Sequence, residues 1–168
     1  MIQQNVDGSA FFNRSWEEFK VGFDDPSGNY WMGNEQLSQL TLNHRYKLKF
    51  DLQSRNNTSN WYHAEYSTFR VLTEADNYRL QVSGYSGNAG RDALSYHNGM
   101  MFTTYDRDND QSSSNCAIIL VGGFWYNYCA YCSVNGFFNK HRLYYYFYWS
   151  GLPGGNELQS SRMWLKCK

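Results

Sequence analysis

The chain has 168 residues, a formal net charge of zero and an aromatic content of 19%. This length fits one domain with a sizeable core. Balanced charge without a block of one sign argues against nucleic acid or an anionic membrane as the main partner. No apolar run approaches the ~20 residues that cross a bilayer. Abundant Tyr and Trp favour either a recognition surface or an aromatic core.

The first part of the chain predicts two short helices. Ser15 and Glu18 form a capping-box pattern at the start of the first helix, and Gly22 ends it. Asn34 is the expected N-cap of a second helix that extends to about Leu42. The side chains expected to point inward from the first helix are Trp16, Phe19 and Val21.

Alternation of apolar and polar residues predicts antiparallel strands. The clearest strand covers residues 45–53; a polar hairpin tip at 54–60 leads into a returning strand at 62–72. A third strand follows at 78–83, and the alternation returns at 161–166 in a closing strand. The fold class is therefore α+β, an antiparallel meander with two helices packed on it.

Residues 85–154 show little periodicity of either kind. Long irregular stretches in a compact domain are usually functional or covalently held. We therefore expect a single domain, 1–168, in which residues 1–84 and 155–168 form a central sheet subdomain and residues 85–154 form a loop-rich binding subdomain.

Carboxylates at alternate positions from Asp106 to Asp110 run into a serine-rich turn, a pattern that invites comparison with a calcium loop. An EF-hand is excluded, because the chain lacks the Gly at the sixth position and the Glu at the twelfth. A looser calcium loop and a solvated acidic turn both remain open. The oxygen ligands of the looser loop would come from the carboxylates of Asp108 and Asp110 and the carbonyls of Ser112 and Ser114.

Four cysteines fit either a disulfide set or scattered thiols. Three sequons, at Asn13, Asn56 and Asn57, agree with secretion and N-glycosylation. The amino terminus is polar from the start and does not predict a signal peptide, so we expect this chain to be a fragment of a secreted protein. The sequence contains no nucleophile elbow, phosphate loop or dinucleotide fingerprint, so an enzyme is not expected.

A series of motifs stands in a characteristic order along the whole chain: 6–9 (VDGS), 16–23 (WEEFKVGF), 30–35 (YWMGNE), 64–69 (AEYSTF), 74–80 (EADNYRL), 95–100 (SYHNGM), 106–110 (DRDND) and 115–117 (NCA). The set resembles the fibrinogen C-terminal domain, shared by fibrinogen chains, ficolins, tenascins, angiopoietins and invertebrate fibrinogen-related lectins. The resemblance implies a central antiparallel sheet followed by a loop-rich subdomain with calcium and ligand sites. The family's N-terminal subdomain, with its own disulfide, is missing here.

The resemblance also assigns roles to individual residues. It implies calcium as the cofactor, held by Asp108, Asp110, Ser112 and Ser114. It implies a disulfide between Cys116 and Cys129, and a cis bond between Tyr128 and Cys129. Cys132 and Cys167 lie outside the family's usual pair, and we expect them to bridge each other; a free or chain-linking Cys167 is the alternative.

A ligand pocket is implied beside this loop, lined by Leu120, Phe124, Trp125, Ala130, Tyr131, Tyr144 and Tyr145. The chain departs from the family at two of these positions: Ala130 replaces a frequent histidine, and Leu120 replaces an aromatic or acidic residue. Neither the acetyl-group specificity of ficolin-like lectins nor the knob specificity of fibrinogen therefore transfers directly.

The expected function is that of a secreted, calcium-braced recognition module. The first hypothesis is lectin-like recognition of glycans or acetylated groups in innate immunity. The alternative is a protein-binding module in signalling or adhesion, of the angiopoietin or tenascin type, which binds a receptor. The parent protein is expected to be oligomeric through a stalk that this chain lacks.

Overall fold

An antiparallel sheet of seven strands organises the fold. The computed structural model describes residues 1–43, 45–138 and 146–168. The strands in these ranges are β1 (Gln3–Asn5), β2 (Phe23–Asp24), β3 (Tyr30–Trp31), β4 (Tyr46–Ser54), β5 (Asn57–Val71), β6 (Leu80–Gly87), β7 (Cys132–Ser133), β8 (Tyr148–Trp149) and β9 (Leu158–Cys167). The large sheet has the order β2-β3-β1-β9-β4-β5-β6, and β7 pairs with β8 in a separate two-stranded sheet.

Within the described ranges, three short α-helices accompany the sheet: α1 (Trp16–Val21), α2 (Asn34–Thr41) and α3 (Cys116–Leu120). Single 3-10 turns lie at Ala10–Phe12, Glu74–Asp76 and Leu94–His97. None of the helices in the described ranges is long and apolar enough to cross a membrane. A mostly antiparallel sheet with few helices confirms the predicted α+β class.

The capping box of α1 is present as predicted. The Ser15 hydroxyl accepts from the Glu18 amide, and the Glu18 carboxylate accepts from the Ser15 amide at 2.9 Å. Val21 is 62% exposed, so the prediction that it points inward is wrong. The N-cap of α2 is Gly33, with Asn34 as the first helical residue. The Gly33 φ of +106° favours glycine at this junction.

Strand β4 lies at the centre of the sheet, between β5 and β9. Phe50 pairs with Ala64 on one side and Met163 on the other, and all three side chains are buried. β5 begins at Asn57, so most of the predicted hairpin tip at 54–60 belongs to the strand. β9 lies inside the sheet, between β1 and β4, so the last strand of the chain pairs with the first.

Aromatic side chains fill the core between the sheet and the long segment that follows it. Trp31 and Trp125 lie 6.1 Å apart between ring centroids, and Phe102 is 5.2 Å from Trp125. All three side chains are fully buried. Much of the unusual aromatic content therefore serves packing.

The segment between the large sheet's last two strands carries the predicted site. β6 extends to Gly87, past the predicted subdomain boundary at residue 84, and β9 begins at Leu158. In between, the described residues form α3, one 3-10 turn, two strands of two residues and irregular chain. The division into subdomains at 84 and 155 stays a prediction.

Candidate functional site

The acidic loop after residue 105 contains one carboxylate that is committed to tertiary structure. Asp106 Oδ1 accepts from the backbone amide of Trp16 at 2.9 Å and from the hydroxyl of Thr104 at 2.7 Å. These bonds tie the loop to the start of α1. Asp106 therefore holds the loop in place, while the next two carboxylates are left to shape its outer turn.

Asp108 and Asp110 form that turn. Asp110 accepts from the amides of Ser112 and Cys116, both at 2.8 Å, and Asp108 accepts from the amide of Asp110 at 3.2 Å. Burial raises the pKa of Asp110; the amide hydrogen bonds from Cys116 and Ser112 oppose this rise, and the negative charge of Asp108 adds to it.

This donor set fits a calcium ion. Two carboxylates of like charge interact directly, and each Asp110 oxygen uses only one protein donor, which leaves further lone pairs free. In the described residues, no hydrogen bond reaches the carbonyl oxygens of Ser112 or Ser114. Calcium accepts six to eight such oxygens, including water. Among all the residues that the structure describes, no three His, Cys, Asp or Glu side chains form a metal-binding group. Backbone carbonyls and water would therefore have to complete the calcium coordination.

A disulfide joins Cys116 to Cys129 directly behind this turn. Asn115 starts α3 by accepting from the amides of Ala117 at 2.8 Å and Ile118 at 3.2 Å. The first residue of α3 is thus the first cysteine of the disulfide, and its backbone amide donates to the Asp110 carboxylate. The covalent bridge therefore links the acidic turn to residues 128–131.

The bond between Tyr128 and Cys129 is trans, so the prediction of a cis bond is wrong. Cys129 instead has a φ of +48°, in the left-handed region that side chains with a Cβ seldom adopt. The chain makes its sharp turn at this residue through φ, with the disulfide holding its side chain.

The predicted bridge between Cys132 and Cys167 is also wrong, since both thiols are free. Cys132 lies fully buried in β7, opposite Trp149, whereas Cys167 is exposed at the end of β9, opposite Tyr46. Burial raises the pKa of the Cys132 thiol, and the Asp92 charge adds to that rise. The first cysteine is a small core residue, while the second remains accessible to another chain.

Three predicted pocket residues belong to the core. Phe124 and Trp125 are fully buried and Leu120 is 6% exposed. Trp125 Nε1 donates to the carbonyl of Tyr78 at 2.7 Å, which fixes the indole inside the protein. None of the three side chains offers an open surface to a ligand here, and their assignment to a ligand pocket stays a prediction. An aromatic residue in irregular chain gives no periodicity by which its burial could be recognised.

Ala130 and Tyr131 are partly exposed, in agreement with a role at the surface. The Ala130 carbonyl accepts from the Tyr148 hydroxyl at 2.7 Å. Tyr144 and Tyr145, also predicted for the pocket, lie outside the described residues. The ligand-binding assignments of Ala130, Tyr131, Tyr144 and Tyr145 all stay predictions.

Four side chains form a surface beside the disulfide, which we call the tyrosine face: Arg91, Tyr96, Tyr128 and Tyr131. The rings of Tyr96 and Tyr131 stack at 4.0 Å, and the Arg91 guanidinium lies 4.1 Å from the centre of the Tyr131 ring. The Tyr96 hydroxyl donates to the Tyr128 carbonyl at 3.3 Å. Tyr128 is 69% exposed. The face presents aromatic rings and one cation to solvent.

His97 braces this face from inside. Its Nδ1 must carry the proton, since it lies 2.7 Å from the Trp125 carbonyl, which can only accept. Its Nε2 accepts from the amides of Tyr131 at 3.1 Å and Cys132 at 3.3 Å. Burial lowers the pKa of His97 to about 4, although the hydrogen bond to Trp125 opposes the shift. Sequence reasoning found no role for His97, because its partners lie 28 to 35 positions away.

Because the pKa of His97 is lowered in the folded protein, we expect the domain to lose stability in acid. Unfolded histidine titrates at about 6.5, so as the pH falls toward the folded value of about 4 the unfolded chain takes up the proton first. The contribution is fully present above pH ~6.5 and is lost between there and ~4. Urea unfolding should give a free energy lower at pH 5 than at pH 7 by about 2 kcal/mol from this group.

The control is His63→Gln on β5, compared with His97→Asn. The first variant should keep the steep change of stability with pH, and the second should flatten it, whatever its stability at pH 7. Equal slopes in both variants would show that His97 is not the titrating group.

The three sequon asparagines occupy different settings. Asn13 and Asn56 are exposed, and Asn57 is partly buried as the first residue of β5. The amide of Asn56 donates to the Ser54 hydroxyl at 3.3 Å within the turn. Glycosylation at any of them stays a prediction.

Residues 1–166 match the family model described as the C-terminal globular domain of fibrinogen beta and gamma chains. The chain belongs to the fibrinogen C-terminal domain family. Protein scabrous of Drosophila melanogaster is 44% identical to it over 82% of this chain and 17% of its own length. Human ficolin-3 is 42% identical over 81% of this chain and 45% of its own length. For human angiopoietin-2 the identity is 37%, over 99% of this chain and 34% of its own length.

Solved structures agree with this membership. The fibrinogen-like globe domain of human ANGPTL6 superposes with a TM-score of 0.89 at 36% identity, over 99% of this chain and 77% of that one. A lamprey fibrin D-dimer, complexed with the peptide Gly-His-Arg-Pro-amide, gives a TM-score of 0.82 at 30% identity, over 98% of this chain and 59% of that one. The chain spans less than half the length of these curated relatives. As a fibrinogen-related domain, it is a recognition module of the ficolin and angiopoietin type.

Proposed function

We propose that this fibrinogen-related domain is a secreted recognition module that binds a protein partner through the tyrosine face. The observation that carries the proposal is the exposed surface at the disulfide: Tyr128 is 69% exposed beside the Tyr96–Tyr131 stack and Arg91. Tyr and Arg are the residues that most often dominate binding energy at protein interfaces.

The rigidity of the face supports this role. His97 holds the amides of Tyr131 and Cys132, and the disulfide anchors Cys129. A surface that is already ordered loses little conformational entropy when it binds. The burial of Phe124 and Trp125 favours an open docking surface over a deep pocket lined by aromatic rings.

Calcium is part of the proposal. Asp108 and Asp110, with the carbonyls of Ser112 and Ser114, would hold the ion, which would supply positive charge to a turn that carries two neighbouring carboxylates. Asp110 also accepts from the amide of Cys116. A fixed Asp110 would therefore hold the first disulfide residue in place, and through it the tyrosine face.

The second candidate is lectin-like binding of a glycan or acetylated group in innate immunity. The 42% identity to human ficolin-3 favours it, as does the Arg91 guanidinium beside the partly exposed Tyr131, because a guanidinium can donate hydrogen bonds to sugar oxygens. Ala130 weighs against it, because the lectin members often have a histidine there. In both cases the parent protein would gain avidity by oligomerisation through a stalk outside this chain.

The test is binding of a trimerised version of the domain to arrays of extracellular receptor domains and of glycans, with calcium or with chelator. We expect a signal on the protein array that Tyr128→Ala and Tyr131→Ala reduce by about tenfold or more, the usual effect of a central interface residue. Chelation should lower the signal, and Asp110→Asn should make it insensitive to calcium.

Two matched controls accompany this test. Trp61→Ala removes another exposed aromatic residue, 40% accessible on β5, and should leave binding unchanged. Asp76→Asn removes an exposed carboxylate outside the acidic turn and should keep the calcium response. A signal on the glycan array alone would decide for the lectin candidate, and blank arrays with calcium present would refute both.

A further inference from the structure

The lining of an open cavity of about 390 Å³ includes Asn13, Tyr105, Ile118 and Val121 and no described residue of the tyrosine face. Ile118 is 59% and Tyr105 is 43% exposed, so both present apolar surface to solvent. Its volume is within the range of about 300–1,000 Å³ that is typical of small-ligand sites.

One residue of the lining, Asn13, indicates which group occupies the cavity. Asn13 is the acceptor of the sequon Asn13-Arg14-Ser15, and its side chain is exposed at the cavity. Its backbone amide closes the preceding 3-10 turn by donating to the Ala10 carbonyl at 3.2 Å. Within the described ranges, the side-chain amide of Asn13 makes no hydrogen bond, so it is free to carry a substituent.

We propose that Asn13 carries an N-linked glycan whose first N-acetylglucosamine lies in this cavity and covers Tyr105 and Ile118. The acetyl methyl and the apolar face of the sugar ring match the aliphatic and aromatic lining, while the sugar hydroxyls face water. Because the sugar is tethered to Asn13, it loses little translational freedom on occupying the cavity, so modest contacts suffice to hold it.

The modification is a glycosyl transfer from a lipid-diphosphate-linked oligosaccharide. The amide nitrogen of Asn13 forms a bond to the anomeric carbon of the first sugar, the bond from that carbon to the diphosphate oxygen breaks, and the amide proton and lipid diphosphate leave. In the folded chain the Ser15 hydroxyl is bound to Glu18, at 3.0 Å from the carboxylate. Because this bond takes up the hydroxyl of the sequon, we expect the glycosyl transfer to precede formation of the α1 cap.

The proposal rests on the secretion of the domain but is independent of its partner. Its test uses the chain secreted from eukaryotic cells with Asn56→Gln and Asn57→Gln, so that Asn13 is the remaining sequon. Three forms are compared: the intact glycoprotein, the form trimmed by an endoglycosidase to one N-acetylglucosamine, and the form from which an amidase has removed the whole glycan by hydrolysing the side-chain amide, which converts Asn13 to Asp.

We expect a glycopeptide that contains Asn13, and nuclear Overhauser effects between the N-acetyl methyl and Ile118 in the trimmed form. The trimmed form should melt about 2–4 °C higher than the amidase-treated form and should bind less of a dye that reports exposed apolar surface. Ile118→Ala should abolish the difference in melting temperature. Ile119→Ala is the matched control, since Ile119 is also exposed but is not part of the lining, and it should retain the difference.

Several outcomes would overturn the proposal. A secreted chain without a glycan at Asn13 would overturn it. A glycan that makes no contact with Ile118 and does not change the melting temperature would also overturn it. Self-association through Ile118 in the intact glycoprotein would show that a second copy occupies the cavity instead. In each case binding through Tyr128 is unaffected, so these failures are separate from failure of the proposed function. A chain that is not secreted would refute both.

Discussion

Replacing Trp125 by alanine should destabilise the domain by about 3–5 kcal/mol, the usual effect of removing a buried indole. The side chain is fully buried, with its ring 6.1 Å from that of Trp31 and 5.2 Å from that of Phe102. Its Nε1 donates to the carbonyl of Tyr78 at 2.7 Å, so the truncation also leaves a buried acceptor without its donor.

Urea unfolding followed by circular dichroism measures this loss. The control is Trp61→Ala on β5, which removes the same side chain from a position that is 40% exposed and should change stability by about 0.5 kcal/mol or less. If Trp125→Ala kept its stability and lost partner binding instead, Trp125 would be a ligand-binding residue, as the sequence first indicated.

Removing the disulfide with Cys116→Ala and Cys129→Ala together should lower stability by about 3 kcal/mol, the typical effect of opening a loop of this length. The two residues are separated by 13 positions. Alanine keeps the backbone amide at position 116 that donates to Asp110, so the acidic turn retains that bond. Cys129, with its φ of +48°, loses the bridge that holds it, and partner binding through Tyr128 should fall as well.

Denaturant unfolding with and without a reductant measures the effect. The reductant should destabilise the native protein by about the same amount and leave the double variant unchanged. Cys167→Ser is the matched control, because it removes an exposed, unbridged thiol and should leave stability and binding as they are. A loss equal to that of the double variant would mean that Cys167 forms a bridge after all.

Features that depend on near neighbours could be predicted from the sequence. The capping box of α1 spans three positions, and the alternation that defines β4 needs only the period of a strand. The same alternation predicted an antiparallel sheet, and the family resemblance added the Cys116–Cys129 disulfide; the structure contains both.

Features that depend on distant contacts could not be predicted. Phe124 and Trp125 look like surface aromatics in an irregular stretch, yet the structure buries both completely. Cys132 and Cys167 look like a pair by elimination, but the fold places one in the core and the other at an exposed strand end. Whether two cysteines form a disulfide depends on the distance between them in the folded chain and on their burial, and neither follows from the number of cysteines in the sequence.

The candidate site shows the same division. The sequence by itself determined the position of the acidic turn, because alternate carboxylates and serines favour local Asx hydrogen bonds such as that from the Ser112 amide to Asp110. Only the tertiary structure decided which aromatic residues face solvent, since His97 reaches Tyr131 across 34 positions and the disulfide turns the chain at Cys129. Local hydrogen bonds follow from neighbouring residues, whereas exposure follows from how the whole chain packs.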